Sequence, residues 1–138
     1  MAETAAPEAE LDDVTFTLSW RMKDGGLSGE LEAVNISNRS VRLSGKPGLT
    51  PIGMDDRPLD TDCAVSLEWR EPGYVELQPG ERVSSPVGWG SWDGPPSSGK
   101  VIVQWEGGQV EVNADGPRQP TSNGPGTNLY ASWFDRVE

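Results

Sequence analysis

The sequence predicts an all-β fold, a sandwich of packed antiparallel sheets with about eight strands. Three observations carry this. Apolar residues recur at every second position in several short runs, whereas helical spacing is almost absent. Turn residues separate those runs at short intervals, supplied by 17 glycines and 12 prolines. The length of 138 residues suits one domain with a real core that needs neither metal nor disulfide. A small closed barrel is the alternative that strand number leaves open.

Met1 to Asp13 is rich in Ala, Glu and Pro and reads as a disordered acidic lead. Val14, Phe16, Leu18 and Trp20 alternate with Thr15, Thr17 and Ser19, the signature of a half-buried strand. Lys23-Asp24-Gly25-Gly26 is a hairpin turn leading into Ser28 to Ile36. There the phase slips: Leu31 and Ala33 share one parity and Val34 and Ile36 the other, which predicts a β-bulge near Glu32 to Val34. Asn38-Arg39-Ser40 turns the chain, and Val41 and Leu43 resume the alternation. Gly45-Lys46-Pro47-Gly48 then breaks the ladder and marks an arch that carries the chain between sheets.

Met54 to Cys63 is a polar loop, followed by a strand from Ala64 to Arg70. Tyr74 to Leu77 is a short strand and Gln78-Pro79-Gly80-Glu81 a turn. Val83, Ser85, Val87 and Trp89 share the face of the next strand, where Pro86 predicts an edge position or a bulge. Asp93 to Gly99 is a loop. Lys100 to Glu106 and Gln109 to Asn113 form a hairpin with Gly107-Gly108 as the linker. The domain thus runs over residues 14–115 and is followed by a Pro/Gly-rich linker and an apolar segment over 116–138. Leu129, Trp133, Phe134 and Val137 share one face of an amphipathic turn or two, expected to dock on the domain itself. Trp20, Leu43, Val65, Leu67, Val101, Val103 and Val112 are the expected core.

Twenty-two acidic residues against 11 basic ones give a net charge of −11. This repels nucleic acid and anionic membrane surfaces and disfavours both as partners. Five of the acids (Glu3, Glu8, Glu10, Asp12, Asp13) fall in the lead, and the remainder of the chain is still acidic. A single cysteine, Cys63, excludes an intrachain disulfide. No apolar run reaches the length of a membrane span and none forms a signal-peptide core, so composition alone leaves exported and cytoplasmic locations open.

The run NISNRSVRLSGKPGL, followed by Leu77-Gln78-Pro79-Gly80 and by Trp89, resembles a family of domains found mostly in actinobacterial secreted proteins and lipoproteins. The family pattern is a strand ending in Asn, a Leu-x-Gly-x-Pro arch and a later Pro-Gly turn before a strand with Trp. Asn38, Leu43, Gly45, Pro47, Pro79, Gly80 and Trp89 occupy those places, and the match covers about Val14 to Asp115. The resemblance implies an immunoglobulin-like sandwich, export and no catalytic residues. The chain departs from the family in having Val41 where members carry a cysteine, and Cys63 in another loop.

With no histidine in the chain, a Ser-His-Asp or Cys-His nucleophilic system and the usual transition-metal ligands are excluded. Cys63 lacks an imidazole and stands beside Asp62, so it reads as a structural thiol. Asp55, Asp56, Asp60 and Asp62 crowd one loop and are the candidate Ca²⁺ ligands, although their spacing is not that of an EF-hand. A carboxylate hydrolase finds no identifiable acid–base pair, and no cofactor is expected.

Six tryptophans are present. Trp20, Trp69 and Trp105 are in phase with core residues. Trp89 and Trp92 lie three apart in a Gly-rich run, which leaves one of them for an exposed place beside Tyr74 or Asp93. Tyr74, Trp89, Trp92, Asp93 and Trp133 are therefore the candidate binding residues. The sequence reads as a non-enzymatic module that presents surface to a protein partner, with carbohydrate or cell-wall binding through Trp92 as the alternative.

Overall fold

A computed structural model of the chain describes residues 6–61, 63–64, 72–122 and 129–137, at 63–64 for the backbone only. The described residues are all-β, with eleven strands, no helix and no closed barrel. They are β1 (Val14–Lys23), β2 (Gly26–Asn35), β3 (Val41–Ser44), β4 (Gly48–Gly53), β5 (Cys63–Ala64), β6 (Tyr74–Leu77), β7 (Arg82–Trp89), β8 (Ser97–Trp105), β9 (Gly108–Asn113), β10 (Leu129–Ala131) and β11 (Asp135–Arg136). One sheet has the order β1-β2-β7-β10-β5, with β11 also on β7; a second is β4-β8-β9; β3 and β6 form a two-stranded ribbon. Pairing between strands is antiparallel except between β10 and β5. The inward faces meet in one apolar core in a sandwich-like arrangement.

The β1–β2 hairpin follows from its turn. Asp24 and Gly25 both take positive φ (52° and 85°), the two-residue primed turn whose twist matches the strands. From there the register runs unbroken from Lys23↔Gly26 to Val14↔Asn35. The bulge expected near Glu32 to Val34 is therefore absent. Leu27, Gly29, Leu31 and Ala33 keep one buried phase, and the next residue in that phase is Asn35. Val34 is half-buried, and Ile36 stands 58% exposed beyond the strand. Two apolar side chains on the outer face had imitated a phase change.

Asn35 is 1% exposed and uses its whole amide. Its Nδ2 donates to the carbonyls of Arg39 (2.8 Å) and Leu77 (3.0 Å). Its Oδ1 accepts from Ser37 N–H (2.9 Å) and Ser37 Oγ (2.7 Å). Its backbone accepts from Gly80 N–H and donates to the Glu81 carbonyl. One side chain thus holds the β2–β3 turn and the end of β6 together. The chain changes sheet here, because β2 pairs with β7 while β3 pairs with β6.

Pro86 was expected at an edge or a bulge, yet β7 is interior, with β2 on one side and β10 and β11 on the other. Ser132 N–H donates to the Pro86 carbonyl, so the imide nitrogen of Pro86 faces the same flank. On that flank the neighbouring strand is interrupted between Ala131 and Asp135, and no acceptor is left waiting for the missing proton. Ser85, fully buried one residue earlier, closes the interruption by donating its hydroxyl to the Ser132 carbonyl at 2.7 Å.

Residues 6–13 and 129–137 are both part of the fold. Within the expected disordered lead, residues 6–13 pack against β3 and β8. Ala9 N–H donates to the Arg42 carbonyl and the Ala9 carbonyl accepts the Trp105 indole proton at 2.8 Å. Glu8 takes the Ser44 hydroxyl and amide, and Asp13 pairs with Arg39 at 2.8 Å. At the other end the apolar segment enters the sheet as strands rather than as an amphipathic turn, and buries Leu129, Ala131 and Phe134. The hairpin turn between β8 and β9 falls at Glu106-Gly107, one residue before the expected linker, because Trp105 pairs with Gly108.

Of the expected core, Trp20, Leu43, Val101 and Val103 are buried and Val112 is partly buried; Val65, Leu67 and Trp69 lie outside the described residues. Trp105 packs against Phe16 with centroids 4.8 Å apart and the rings tilted at 45°. No helix among the described residues is long and apolar enough to cross a membrane.

Asn35→Ala should lower the free energy of unfolding by about 2–4 kcal/mol, because it strands buried partners of the amide. Asn35→Asp should be at least as harmful, since it turns a carboxylate oxygen toward two carbonyls; urea denaturation measures both. Leu129→Ala should cost about 2–5 kcal/mol by the same measurement, and an unchanged midpoint would mean that β10 adds nothing to the core. The hydrogen bond from Arg39, helped by the Glu10 amide, holds the Asp13 carboxyl below its ordinary range against the opposing effect of burial. A depressed folded-state pKa stabilises above the unfolded value and is lost as pH falls through the folded one. Asp13→Asn should therefore melt below the parent at pH 7, and the two melting curves should converge in acid below the usual carboxylate range.

Candidate functional site

The candidate site lies where the tip of the β4 loop meets the segment before β8. β4 and β8 pair as far as Gly53↔Ser97, so the loop leaving β4 and the loop entering β8 are held side by side. The β4 loop folds back on itself: Gly53 N–H donates to Arg57 O, Leu59 N–H to Pro51 O, and Ile52 bridges Pro58. Asp56 sits at positive φ (65°) at the tip, a conformation that Asp tolerates. Asp55 accepts the Arg57 amide proton at 3.2 Å, closing an Asx turn. Met54 N–H donates to Pro96 O and ties the two loops together.

Between them is a cleft of about 490 Å³ lined by residues of both loops. The β4 loop supplies Asp55, Arg57, Leu59 and Asp60, and the other loop supplies Trp92, Asp93 and Pro95. Three carboxylates and one guanidinium stand on the exposed rim, while Leu59 and Trp92 are buried beneath it. The cleft is acidic at the mouth and apolar below. Such a surface complements a cationic group carried on an apolar stem.

Trp92 was expected as one of two alternatives, core or exposed platform. It is 5% exposed, its indole N–H donates to the Pro95 carbonyl at 2.8 Å, and its ring lies 5.8 Å from that of Trp89. A side chain on Gly94 would strike the ring at 2.6 Å, so the glycine is what lets the loop wrap the indole. Trp89 is 1% exposed, and its indole N–H is buried without a hydrogen-bond partner among the described residues. Both indoles are internal. The Trp92 backbone amide donates to Ser122 O, and the Gln119 side chain accepts from Ser97 N–H, so the segment after Gly116 braces this loop.

The remaining candidates are dispersed. Asp93 is in the cleft. Tyr74 is half-buried on β6, with the Arg42 guanidinium 5.3 Å from its ring centroid. Trp133 is half-buried between β10 and β11, with Lys46 Nζ 5.2 Å from its ring. Of the four candidate calcium ligands, Asp55 and Asp60 line the cleft, Asp56 faces Lys100 at 3.7 Å, and Asp62 lies outside the described residues. Among the described residues no three acidic, Cys or His side chains converge on a point that could hold a metal ion.

Sequence reasoning proposed Trp92 with Asp93, and the aspartates of the next loop, as separate features. It missed that they form one site, and it missed Leu59 and Pro95 as parts of the wall. The signal would have been the β4–β8 pairing, which no local pattern announces. Against known proteins the chain matches no family model, no curated protein and no solved structure.

Proposed function

We propose that the chain is a non-enzymatic binding module, immunoglobulin-like in its sandwich and extracytoplasmic by the resemblance of its arch and turn motifs, that acts by contact with a protein partner. The cleft between the β4 loop and the segment before β8 is the contact site, and a Lys- or Arg-bearing segment of the partner is its complement. The observation that carries this reading is the composition of the cleft: Asp55, Asp60 and Asp93 at the rim against Arg57 alone, above Leu59 and Trp92. The rim carboxylates are exposed, which favours recognition over acid–base chemistry, since a general acid near neutral pH needs a desolvated carboxyl.

Carbohydrate or cell-wall binding is the second reading, and it has less support. A sugar platform presents an indole face to solvent, whereas Trp92 and Trp89 are internal and the Trp92 N–H is spent on Pro95.

Titrating isotope-labelled protein with a short Lys/Arg peptide, and separately with a cell-wall oligosaccharide, discriminates the two. The expected result is saturable amide shifts at residues 55–60 and 92–95 with the peptide, weakened by salt and by Asp60→Lys or Asp93→Lys. Saturable shifts with the oligosaccharide and none with the peptide would overturn the reading.

A further inference from the structure

A second surface, distinct from the cleft, lies where the two main sheets part company. β1 is the outer strand of one sheet and β9 the outer strand of the other. They are joined at one end only. Asp115 forms a parallel bridge with Ser19, donating its N–H to Leu18 O at 2.9 Å and accepting from Trp20 N–H at 2.7 Å. Toward the start of β1 the strands diverge around a groove of about 640 Å³.

The bonds to Asp115 fix which backbone groups face this groove. In an antiparallel strand the N–H and C=O of one residue point to the same flank, and flanks alternate. Leu18 and Trp20 turn theirs away from β2, and the β1–β2 register has no interruption. Val14 and Phe16 therefore turn theirs the same way. On β9, Ala114 N–H bonds to Gly99 O on the β8 side, so Glu111 and Asn113 point their backbone groups toward β1. Two half-ladders face each other across an open gap.

Edge strands are normally blunted by lysine, proline or a bulge. Val14 to Leu18 has none of these. The groove is bordered by Leu11 and Ile36, 52% and 58% exposed. Its charged lining is Asp12, Glu111 and Asp115, with no lysine or arginine among the lining residues. A second copy of the chain would bring carboxylates against carboxylates, whereas a basic extended segment would be drawn in.

We propose that this gap takes an extended segment of a partner protein, alternating apolar and basic residues, as an added strand beside β1. Main-chain hydrogen bonds to Phe16 and to the Leu18 N–H, the Leu18 carbonyl being held by Asp115, hold the segment, its apolar side chains pack toward Leu11 and Ile36, and its basic side chains meet Asp12 and Glu111. The Asp115 bridge acts as the stop that sets how far along β1 the added strand reaches.

The test uses the full chain and a synthetic peptide alternating valine and lysine. The same peptide with every backbone nitrogen methylated cannot donate to a ladder from either edge. The expected result is amide shifts at Phe16, Leu18, Glu111 and Asn113 with slowed hydrogen exchange at Phe16. Methylation should abolish binding, and Glu111→Lys should weaken it by about tenfold. Glu111 is exposed on an edge strand and its pair with Lys100 at 3.8 Å is solvent-screened, so the variant should melt within a few degrees of the parent, and the methylated-peptide arm needs no variant at all. Equal binding of the methylated peptide, shifts confined to residues 55–60 and 92–95, or concentration-dependent dimers that Glu111→Lys disperses would overturn the proposal. Failure at the cleft with success at this edge would leave the present inference standing by itself.

Discussion

The buried amide of Asn35 is the constraint on which the connection between sheets depends. A β-strand that ends a sheet must release its last backbone groups to something, and buried polar groups left unmade cost about 1–3 kcal/mol each. Asn35 answers four such groups with one side chain, two carbonyls by its Nδ2 and two Ser37 donors by its Oδ1. No other residue type offers two donors and an acceptor from so short a stem: Asp lacks the donors, Gln is a methylene too long, and Ser has a single proton. Once Asn35 is placed, β3 leaves at the angle that pairs it with β6, and the Gln78–Glu81 turn closes against the same point through Gly80 and Glu81.

The second dependency is on the two ends of the chain. Residues 6–13 give the Trp105 indole its acceptor and Arg39 its carboxylate, while Leu129, Ala131 and Phe134 complete the core beside β7. A sheet ordered β1-β2-β7-β10-β5 has its last two strands drawn from remote parts of the sequence. This topology makes the interior strand β7 wait for the C-terminus before its second flank is satisfied. The interruption opposite Pro86 shows how closely the two are matched: the one residue of β7 that cannot donate lies where the C-terminal chain leaves the ladder.

Much of the fold was legible in the residues because its determinants are local. The alternation in Val14 to Trp20, the Asp24-Gly25 turn and the strand at Tyr74 to Leu77 each follow from neighbours in sequence. What was not legible is non-local. Asn35 was hidden because a polar residue in an apolar phase looks like a break in the phase, and the half-buried Val34 and exposed Ile36 completed the disguise. Residues 6–13 looked disordered by composition, since acid-rich segments rarely bury surface; what holds them is Arg39, Arg42 and Trp105, all far away in the chain. The Pro/Gly-rich segment after Gly116 likewise braces the Trp92 loop through backbone groups that no side-chain pattern reports.

The candidate site divides along the same line. Acid-rich and Trp-rich loops were each visible, but whether Trp92 faces solvent or the core depends on Gly94, where the absence of a side chain lets the loop fold over the ring. That single contact converts an apparent sugar platform into the floor of an acidic cleft. The charge of the chain acquires direction in the same way. A net −11 spread evenly would only confer solubility. Here carboxylates gather at two openings, the cleft with Asp55, Asp60 and Asp93 and the β1–β9 gap with Asp12, Glu111 and Asp115, each with apolar surface behind them. Both openings suit a cationic partner by charge, and the two proposed sites differ in what they offer it: side chains at the cleft, main chain at the open edge.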